Sequence, residues 1–148
     1  MKQFWKPRHS ITLSLVITYL SAAALLASMF FAQRLIELLL GLPPSYARGY
    51  ALVFYFCCPA GWAALGSLLK ILHNLRAGRV FVQQNVKLLR LLSWCFVFVA
   101  LVSFASIYWL PSLLIVGIAA AFLGLILRVV KNVIAQAMQL REENDLTI

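Results

Sequence analysis

Apolar stretches of the length needed to cross a bilayer recur four times along the chain. They cover residues 11–32, 51–69, 91–110 and 111–130. A helix needs roughly 20 predominantly apolar residues to cross the hydrocarbon core, and none of these stretches has the period-two alternation of a membrane β-strand. The pattern therefore predicts four transmembrane helices.

Turn-forming residues mark the ends of the predicted helices. The first helix is expected to continue beyond the bilayer until Gly41, which suits a C-cap, and the prolines at 43–44 stop it. The third and fourth helices are predicted to meet in a tight hairpin at residues 108–111, with the proline in the first turn of the fourth helix. Within the second helix, Pro59 removes one backbone hydrogen bond and predicts a kink.

Residues 70–90 are predicted to form a polar loop between the second and third spans. Gly78 suits a helix end, and the next helix is expected to start near residues 82–85, with Val82 a poor N-cap. Phe81 is a large apolar side chain in a polar turn, and we predict that it inserts back between the helices.

The fourth helix is predicted to extend well beyond the membrane. From Pro111 to Glu143 the chain has 33 residues, which make about 50 Å of helix against a hydrocarbon core of about 30 Å. Segment 131–148 is therefore expected to be an amphipathic tail. Its apolar stripe follows helical spacing and by default packs within the same chain. The stripe consists of Val130, Val133, Ile134, Ala137 and Met138.

The composition agrees with a membrane protein. Of the 148 residues, 64% are hydrophobic and 11% are charged, and the mean hydropathy is +0.93. An ordinary soluble domain is about half apolar and about one quarter charged. These values exclude a disordered chain, a coiled coil and a typical soluble enzyme domain. The predicted fold is all-α: one polytopic membrane domain over residues 1–148, built as a four-transmembrane-helix bundle.

The basic residues predict the orientation of the chain. Eleven of the thirteen lie in residues 1–10, 70–90 and 128–148, and the other two are Arg34 and Arg48. The positive-inside rule then places both termini in the cytoplasm, with an uncleaved first span. These residues are expected to contact anionic lipid head groups rather than nucleic acid, because they flank the spans and form no single face.

The sequence contains no pattern typical of a catalytic or metal site. The span centres contain no Asp, Glu, Lys, Arg or His, so ion-coupled transport lacks the titratable group that it needs. Cys57, Cys58 and Cys95 have no histidine or carboxylate beside them in sequence and are interpreted as small hydrophobic residues. No phosphate-binding loop or nucleophile elbow is present. We therefore expect a protein that is not an enzyme and needs no cofactor or metal.

Small residues favour close helix approach in two of the spans. Gly61 follows Pro59 in the second span, and the fourth span carries Gly117, Ala121 and Gly124 at small-xxx-small spacing. The spacing leaves two uses open, packing within the bundle and a seam between two copies of the chain. A kinked helix beside small residues also allows a pocket for a lipid or an apolar ligand.

Opposite charges are gathered in the polar loop and the C-terminal tail. Three of the four acidic residues lie within 142–148. Because both segments are predicted on the cytoplasmic side, they are expected to lie close together, as an intramolecular clamp or as a docking site for a cytoplasmic protein. The candidate interaction residues are Arg76, Gly78, Arg79, Phe81, Asn85, Lys87, Arg90, Glu142, Glu143, Asn144 and Asp145.

The loop and the tail together resemble those of a known family. The pattern comprises Gly78, Phe81, residues 85–90 (NVKLLR), residues 128–133 (RVVKNV) and residues 142–148 (EENDLTI). Over essentially its whole length the chain is similar to the small bacterial membrane proteins filed as domain of unknown function 2975. Val82 departs from the small hydroxyl residue that is usual in that family.

The resemblance implies a partner. Members of this family are often encoded beside a short helix-turn-helix regulator, which implies a membrane partner for a DNA-binding protein. The first hypothesis is therefore a non-enzymatic tether or sensor for such a regulator. Phe81, Asn85 and Arg90 would shape the loop, and the tail carboxylates would bind the basic partner. The alternatives are an uncoupled transporter or apolar-ligand-binding subunit, and a purely structural clamp between tail and loop.

Overall fold

Four long α-helices make up the part of the chain that the structure describes. The structure is a computed structural model, which describes the backbone of residues 7–147 and the side chains of residues 10–147. Each helix is long and apolar enough to cross a membrane, and the described residues form no strand. The predicted all-α fold with four membrane-spanning helices is confirmed. The helices are α1 (Pro7–Leu40), α2 (Pro44–Arg76), α3 (Gln83–Ala105) and α4 (Leu113–Leu146).

The helices pack in chain order. α1 packs on α2, α2 on α3 and α3 on α4, and no other pair of helices in the described chain brings Cα atoms within 8 Å. Short connections make each neighbouring pair antiparallel, so the bundle is an open row with α1 and α4 at its edges. Large apolar side chains are exposed along all four helices, as expected of a protein whose outer surface contacts lipid.

The antiparallel order gives the bundle two chemically different ends. The basic end carries the connection 77–82 and the last turns of α4, and the hairpin end carries the connections 41–43 and 106–112. Part of the predicted basic cluster lies outside the described side chains. This part comprises Lys2, Lys6 and Arg8, and the C-terminal Ile148 lies outside them as well.

Glycines in the left-handed conformation end α1 and α2, so both predicted helix ends are confirmed. Gly41 has a φ angle of +59° and Gly78 one of +74°, which residues with a Cβ atom rarely adopt. After α2, the Gly78 amide donates to the Leu75 carbonyl at 3.0 Å and the Arg79 amide donates to the Asn74 carbonyl at 2.9 Å. These two bonds form a Schellman motif, which satisfies carbonyls in the last turn of α2.

Most of the predicted loop 70–90 is helical. α2 and α3 extend into it from both sides, so that only residues 77–82 are non-helical. Val82 is the N-cap of α3, in an extended conformation and without a side-chain cap bond, as predicted for this poor capping residue. α2 runs through Pro59 without interruption.

The connection between α3 and α4 is longer than the sequence predicts. The predicted spans 91–110 and 111–130 leave no gap, whereas residues 106–112 form turns outside both helices. The predicted position of the proline in the first turn of the fourth helix is therefore wrong. The cause is tertiary, because the buried Leu110 packs over α2 at Gly49, where an added Cβ atom would meet Leu110 Cδ1 at 3.6 Å.

Small residues of α4 lie against α3. A Cβ atom at Gly117 would meet the Phe104 ring at 2.8 Å, and one at Gly124 would meet the Ser93 carbonyl oxygen at 3.4 Å. The Ser93 hydroxyl also donates to the Gly124 carbonyl at 2.9 Å. Ala121 is only half-buried. In the structure these glycines serve the first of the two uses left open above, packing within the bundle.

Candidate functional site

A pair of buried asparagines organises the basic end. Asn85 lies in the first turn of α3 and is only 2% exposed. Its Nδ2 donates to the carbonyls of Arg79 at 3.0 Å and Val80 at 2.9 Å. Its Oδ1 accepts a hydrogen bond from Asn74 Nδ2 of α2 at 2.8 Å. One side chain therefore joins α2, the connection 77–82 and α3.

The network holds the connection in one conformation. Breaking it would remove the hydrogen bonds that the Arg79 and Val80 carbonyls accept from the buried Asn85 amide, at a cost of about 0.5–1.5 kcal/mol for each bond. Asn74 Nδ2 also donates to Gln84 Oε1 at 3.3 Å, and the Schellman motif adds backbone bonds to the same turn. Arg79, Val80 and Phe81 consequently point outward from a rigid turn, and all three are exposed.

Phe81 lies beside the last turns of α4. It is 47% exposed, so the predicted insertion between the helices is wrong. The interior of the turn is occupied by the Asn85 amide, which binds the carbonyls of the two residues before Phe81. Phe81 instead borders a cleft of about 340 Å³, which we call the Phe81 cleft. The cleft is lined by Phe81, Met138, Arg141, Glu142 and Asp145.

The carboxylates of Glu142, Glu143 and Asp145 are exposed and have no cationic partner among the described residues. Within the described chain no cation lies within 4 Å of their carboxylate oxygens. The loop cations Arg76 and Arg79 are exposed as well. The loop and the tail lie side by side, but among the residues described they form no ion pair, so the three negative charges face outward.

Thr147 completes the last turn of α4. Its hydroxyl donates to the Glu143 carbonyl at 2.6 Å, and its amide donates to the Asn144 carbonyl at 3.2 Å. The turn that carries the carboxylates is therefore helical, and the Asn144 side chain is exposed on it.

A second cleft of the basic end lies between α3 and α4. It has a volume of about 210 Å³, and we call it the cationic cleft. Arg128 stacks over the indole ring of Trp94, with Cζ 5.4 Å from the ring centroid, which is a cation–π contact. Arg90 belongs to this cleft and not to the Phe81 cleft, so the predicted interaction residues divide between two sites. The cationic cleft is lined by Arg90, Ser93, Trp94, Arg128 and Lys131.

An apolar cleft of about 810 Å³ lies at the hairpin end, between α2 and the end of α3. The hydroxyls of Tyr50 and Ser112 are hydrogen-bonded and tie α2 to the start of α4. The cleft does not coincide with the apolar pocket predicted beside Pro59 and Gly61, where an added Cβ atom at Gly61 would meet Leu25 Cδ2 of α1 at 3.4 Å. The aromatic side chains that line the apolar cleft at the hairpin end are Tyr46, Phe56, Tyr108 and Trp109.

A comparison with known protein families shows which family the chain belongs to. The model of the family described as "Protein of unknown function (DUF2975)" matches residues 7–148, nearly the whole chain. The chain belongs to the DUF2975 family. The resemblance seen in the loop and the tail is thereby confirmed. No curated protein and no solved structure matches the chain.

In this DUF2975 chain, sequence reasoning misses residues that build both clefts of the basic end. Asn74 binds Asn85, and Ser93 and Trp94 line the cationic cleft. A signal exists for Asn74, because a polar side chain four residues before a helix-ending glycine needs a partner close to that turn. Ser93 and Trp94 offer no such signal, since both residue types are ordinary in membrane helices.

Three of the predicted cations line neither cleft of the basic end. In the DUF2975 chain Arg76, Arg79 and Lys87 are exposed, and they are absent from the described linings of the Phe81 cleft and the cationic cleft. They remain available to lipid head groups, which is the role that the charge pattern assigns to such residues.

Proposed function

We propose that this DUF2975 protein is a non-enzymatic membrane tether for a small basic cytoplasmic protein, a helix-turn-helix regulator, bound at the Phe81 cleft. The proposal is carried by Glu142, Glu143 and Asp145, which are exposed and have no cationic partner among the described residues. Like charges on one helical turn repel each other and destabilise the helix, and a basic partner that binds there offsets the repulsion. Regulators of this type are implied by the family resemblance.

The Phe81 cleft suits an arginine or lysine side chain from a partner helix. Phe81 and Met138 supply an apolar wall, and the two carboxylates of the lining outnumber its single cation, Arg141. Long basic side chains bury their methylene stems on apolar surface while the charged head binds a carboxylate. DNA-binding domains carry such side chains in clusters. Basic residues that bind the tail are unavailable to DNA, so the tether competes with DNA for the regulator.

The rigid turn beside the tail supports binding. Because the Asn74–Asn85 bond and the carbonyl bonds of Asn85 fix the connection 77–82, Phe81 loses little conformational freedom when a partner docks. The proposal also requires that the basic end faces the cytoplasm of a bacterial inner membrane, as the positive-inside rule predicts.

Neutralising the three tail carboxylates is expected to release the partner. In the triple variant Glu142→Gln, Glu143→Gln, Asp145→Asn, the affinity for the partner, and with it the co-purified yield, should fall roughly 3- to 150-fold, because three exposed ion pairs at roughly 0.2–1 kcal/mol each contribute about 0.6–3 kcal/mol. The measurement is capture of the N-terminally tagged full chain from native membranes in mild detergent, with mass spectrometry of the co-purified proteins. Glu37→Gln is the matched control, since Glu37 is the one other acidic residue of the chain and lies near the hairpin end.

An unchanged partner yield in the triple variant contradicts the tether. If no partner depends on the tail and the triple variant unfolds at a lower temperature than the Glu37→Gln control, the tail is a structural clamp on its own loop. If neither partner yield nor stability changes, the function moves to the hairpin end, where the aromatic cleft of about 810 Å³ favours an apolar ligand.

A further inference from the structure

Three cations of the described chain converge on the cationic cleft, away from the Phe81 cleft. Arg90 comes from α3, and Arg128 and Lys131 come from α4. No carboxylate is among the described residues that line the cleft. Arg128 and Lys131 lie three positions apart, a spacing at which like charges on a helix destabilise it.

The described residues supply no counterion for these charges. Glu37 is near the opposite end of the bundle, and the tail acids begin eleven positions after Lys131, about 16 Å along the helix. The Debye length at physiological ionic strength is about 8 Å, so charges at that distance are largely screened. The three cations therefore repel one another unless an anion enters the cleft.

The depth of the cleft in the membrane indicates the source of that anion. Arg90 immediately precedes the uncharged run of α3, and Arg128 immediately follows the uncharged run 113–127 of α4. Trp94 lies one turn further into the span, in the position typical of interfacial tryptophans. Both helices thus place their cations where the hydrocarbon core ends and the lipid phosphates begin.

The donors are partly oriented before any ligand binds. The guanidinium of Arg128 is held over Trp94, so less conformational entropy is lost when it binds an anion. Lys131 is half-buried one turn further along α4. A guanidinium forms paired hydrogen bonds with a phosphate, and a lysine adds a point charge. We propose that the cationic cleft binds the phosphate group of an anionic membrane lipid.

Native mass spectrometry of the full chain in mild detergent tests the proposal, with phosphatidylglycerol, phosphatidylcholine and inorganic phosphate as separate probes. Phosphatidylglycerol should bind at least about tenfold more tightly than phosphatidylcholine. Each of Arg90→Gln, Arg128→Gln and Lys131→Gln should lower the affinity for phosphatidylglycerol about tenfold, since each removes a charge-assisted bond. Lys87→Gln removes the same charge one turn before Arg90 from a residue that does not line the cleft, and it should lower the affinity less than about twofold.

Thermal unfolding separates a ligand site from a structural role. Without anionic lipid, Arg90→Gln and Lys131→Gln should unfold at the temperature of the parent or above it, because each removes repulsion. Arg128→Gln also loses the cation–π contact with Trp94, so its Tm without lipid is not part of this test. Added phosphatidylglycerol should raise the Tm of the parent but not that of the variants. Arg128→Lys keeps the charge and should retain more of the affinity than Arg128→Gln.

Three results would overturn the proposal: equal affinity for phosphatidylcholine, an equal loss in Lys87→Gln, or a lowered Tm of Arg90→Gln and Lys131→Gln in the absence of lipid. Inorganic phosphate distinguishes the two sources of the anion. If it binds alone as tightly as phosphatidylglycerol and with the same dependence on Arg90 and Arg128, the cleft takes a free phosphate and the assignment to a lipid is wrong.

Discussion

Replacing Asn85 with aspartate is expected to lower the free energy of unfolding by about 3–5 kcal/mol at neutral pH. Nδ2 of Asn85 donates to two carbonyls, and the side chain is 2% exposed. A carboxylate of the same shape cannot donate to the carbonyls of Arg79 and Val80, and it places an uncompensated negative charge against both oxygens. The measurement is reversible unfolding of the full chain in mixed micelles, followed by circular dichroism.

Two companion variants identify the cause of that loss. Gln84→Ala removes only the bond from Asn74 at 3.3 Å to an exposed side chain and should cost less than about 1 kcal/mol. Acidification towards about pH 4 should restore part of the loss in Asn85→Asp, because a protonated carboxyl group again donates one hydrogen bond. Asn85→Ala should gain nothing from the same change of pH. An Asn85→Asp variant as stable as the parent would show that the network does not hold the connection 77–82.

The second large effect is expected where α4 crosses α3 at Gly117. A Cβ atom there would lie 2.8 Å from Cε1 and 2.9 Å from Cδ1 of the Phe104 ring, closer than unstrained contacts allow. Gly117→Ala should therefore destabilise the protein by about 1–3 kcal/mol, because the ring or the helix has to shift. Unfolding in mixed micelles again measures the change.

A double-mutant cycle assigns this effect to the ring. Phe104→Ala removes all the ring atoms that an alanine at position 117 would meet, so Gly117→Ala should cost clearly less in that background. Gly66→Ala is the matched control, since Gly66 lies within α2 and nothing stands within 4 Å of its added Cβ atom. It should be neutral or stabilising by up to about 1 kcal/mol. If Gly117→Ala lowers the free energy of unfolding equally with and without the Phe104 ring, the strain does not come from contact with that ring.

The four helices are predictable from the sequence, because the bilayer sets the length that a spanning helix needs. The C-terminal ends of α1 and α2 are predictable as well, because Gly41 and Gly78 adopt the left-handed conformation there. The order in which the helices pack is harder to predict from the sequence, since lipid-facing and helix-facing positions of a membrane helix are both apolar. Nothing in the apolar pattern of α1 distinguishes a neighbour α2 from a neighbour α4.

The clefts of the basic end are predictable only in part, for reasons of geometry. Charge patterning brings the loop and the tail to one end, and the Phe81 cleft lies between them. The outward direction of Phe81 depends on the Asn85 amide, whose partners are set by the three-dimensional turn and not by spacing. Arg90 joins the cationic cleft because α3 presents it to α4, next to Arg128. Sequence alone does not reveal which neighbour a cation faces.

The tether requires the basic end to face the cytoplasm, and cysteine labelling tests this directly. In a chain freed of Cys57, Cys58 and Cys95, single cysteines replace Arg79 at the basic end or Tyr108 at the hairpin end, both exposed positions. A membrane-impermeant maleimide added to intact spheroplasts should label Tyr108→Cys at once and Arg79→Cys only after the membrane is permeabilised. Labelling of Arg79→Cys in intact spheroplasts, with Tyr108→Cys protected, would contradict the proposed cytoplasmic tether.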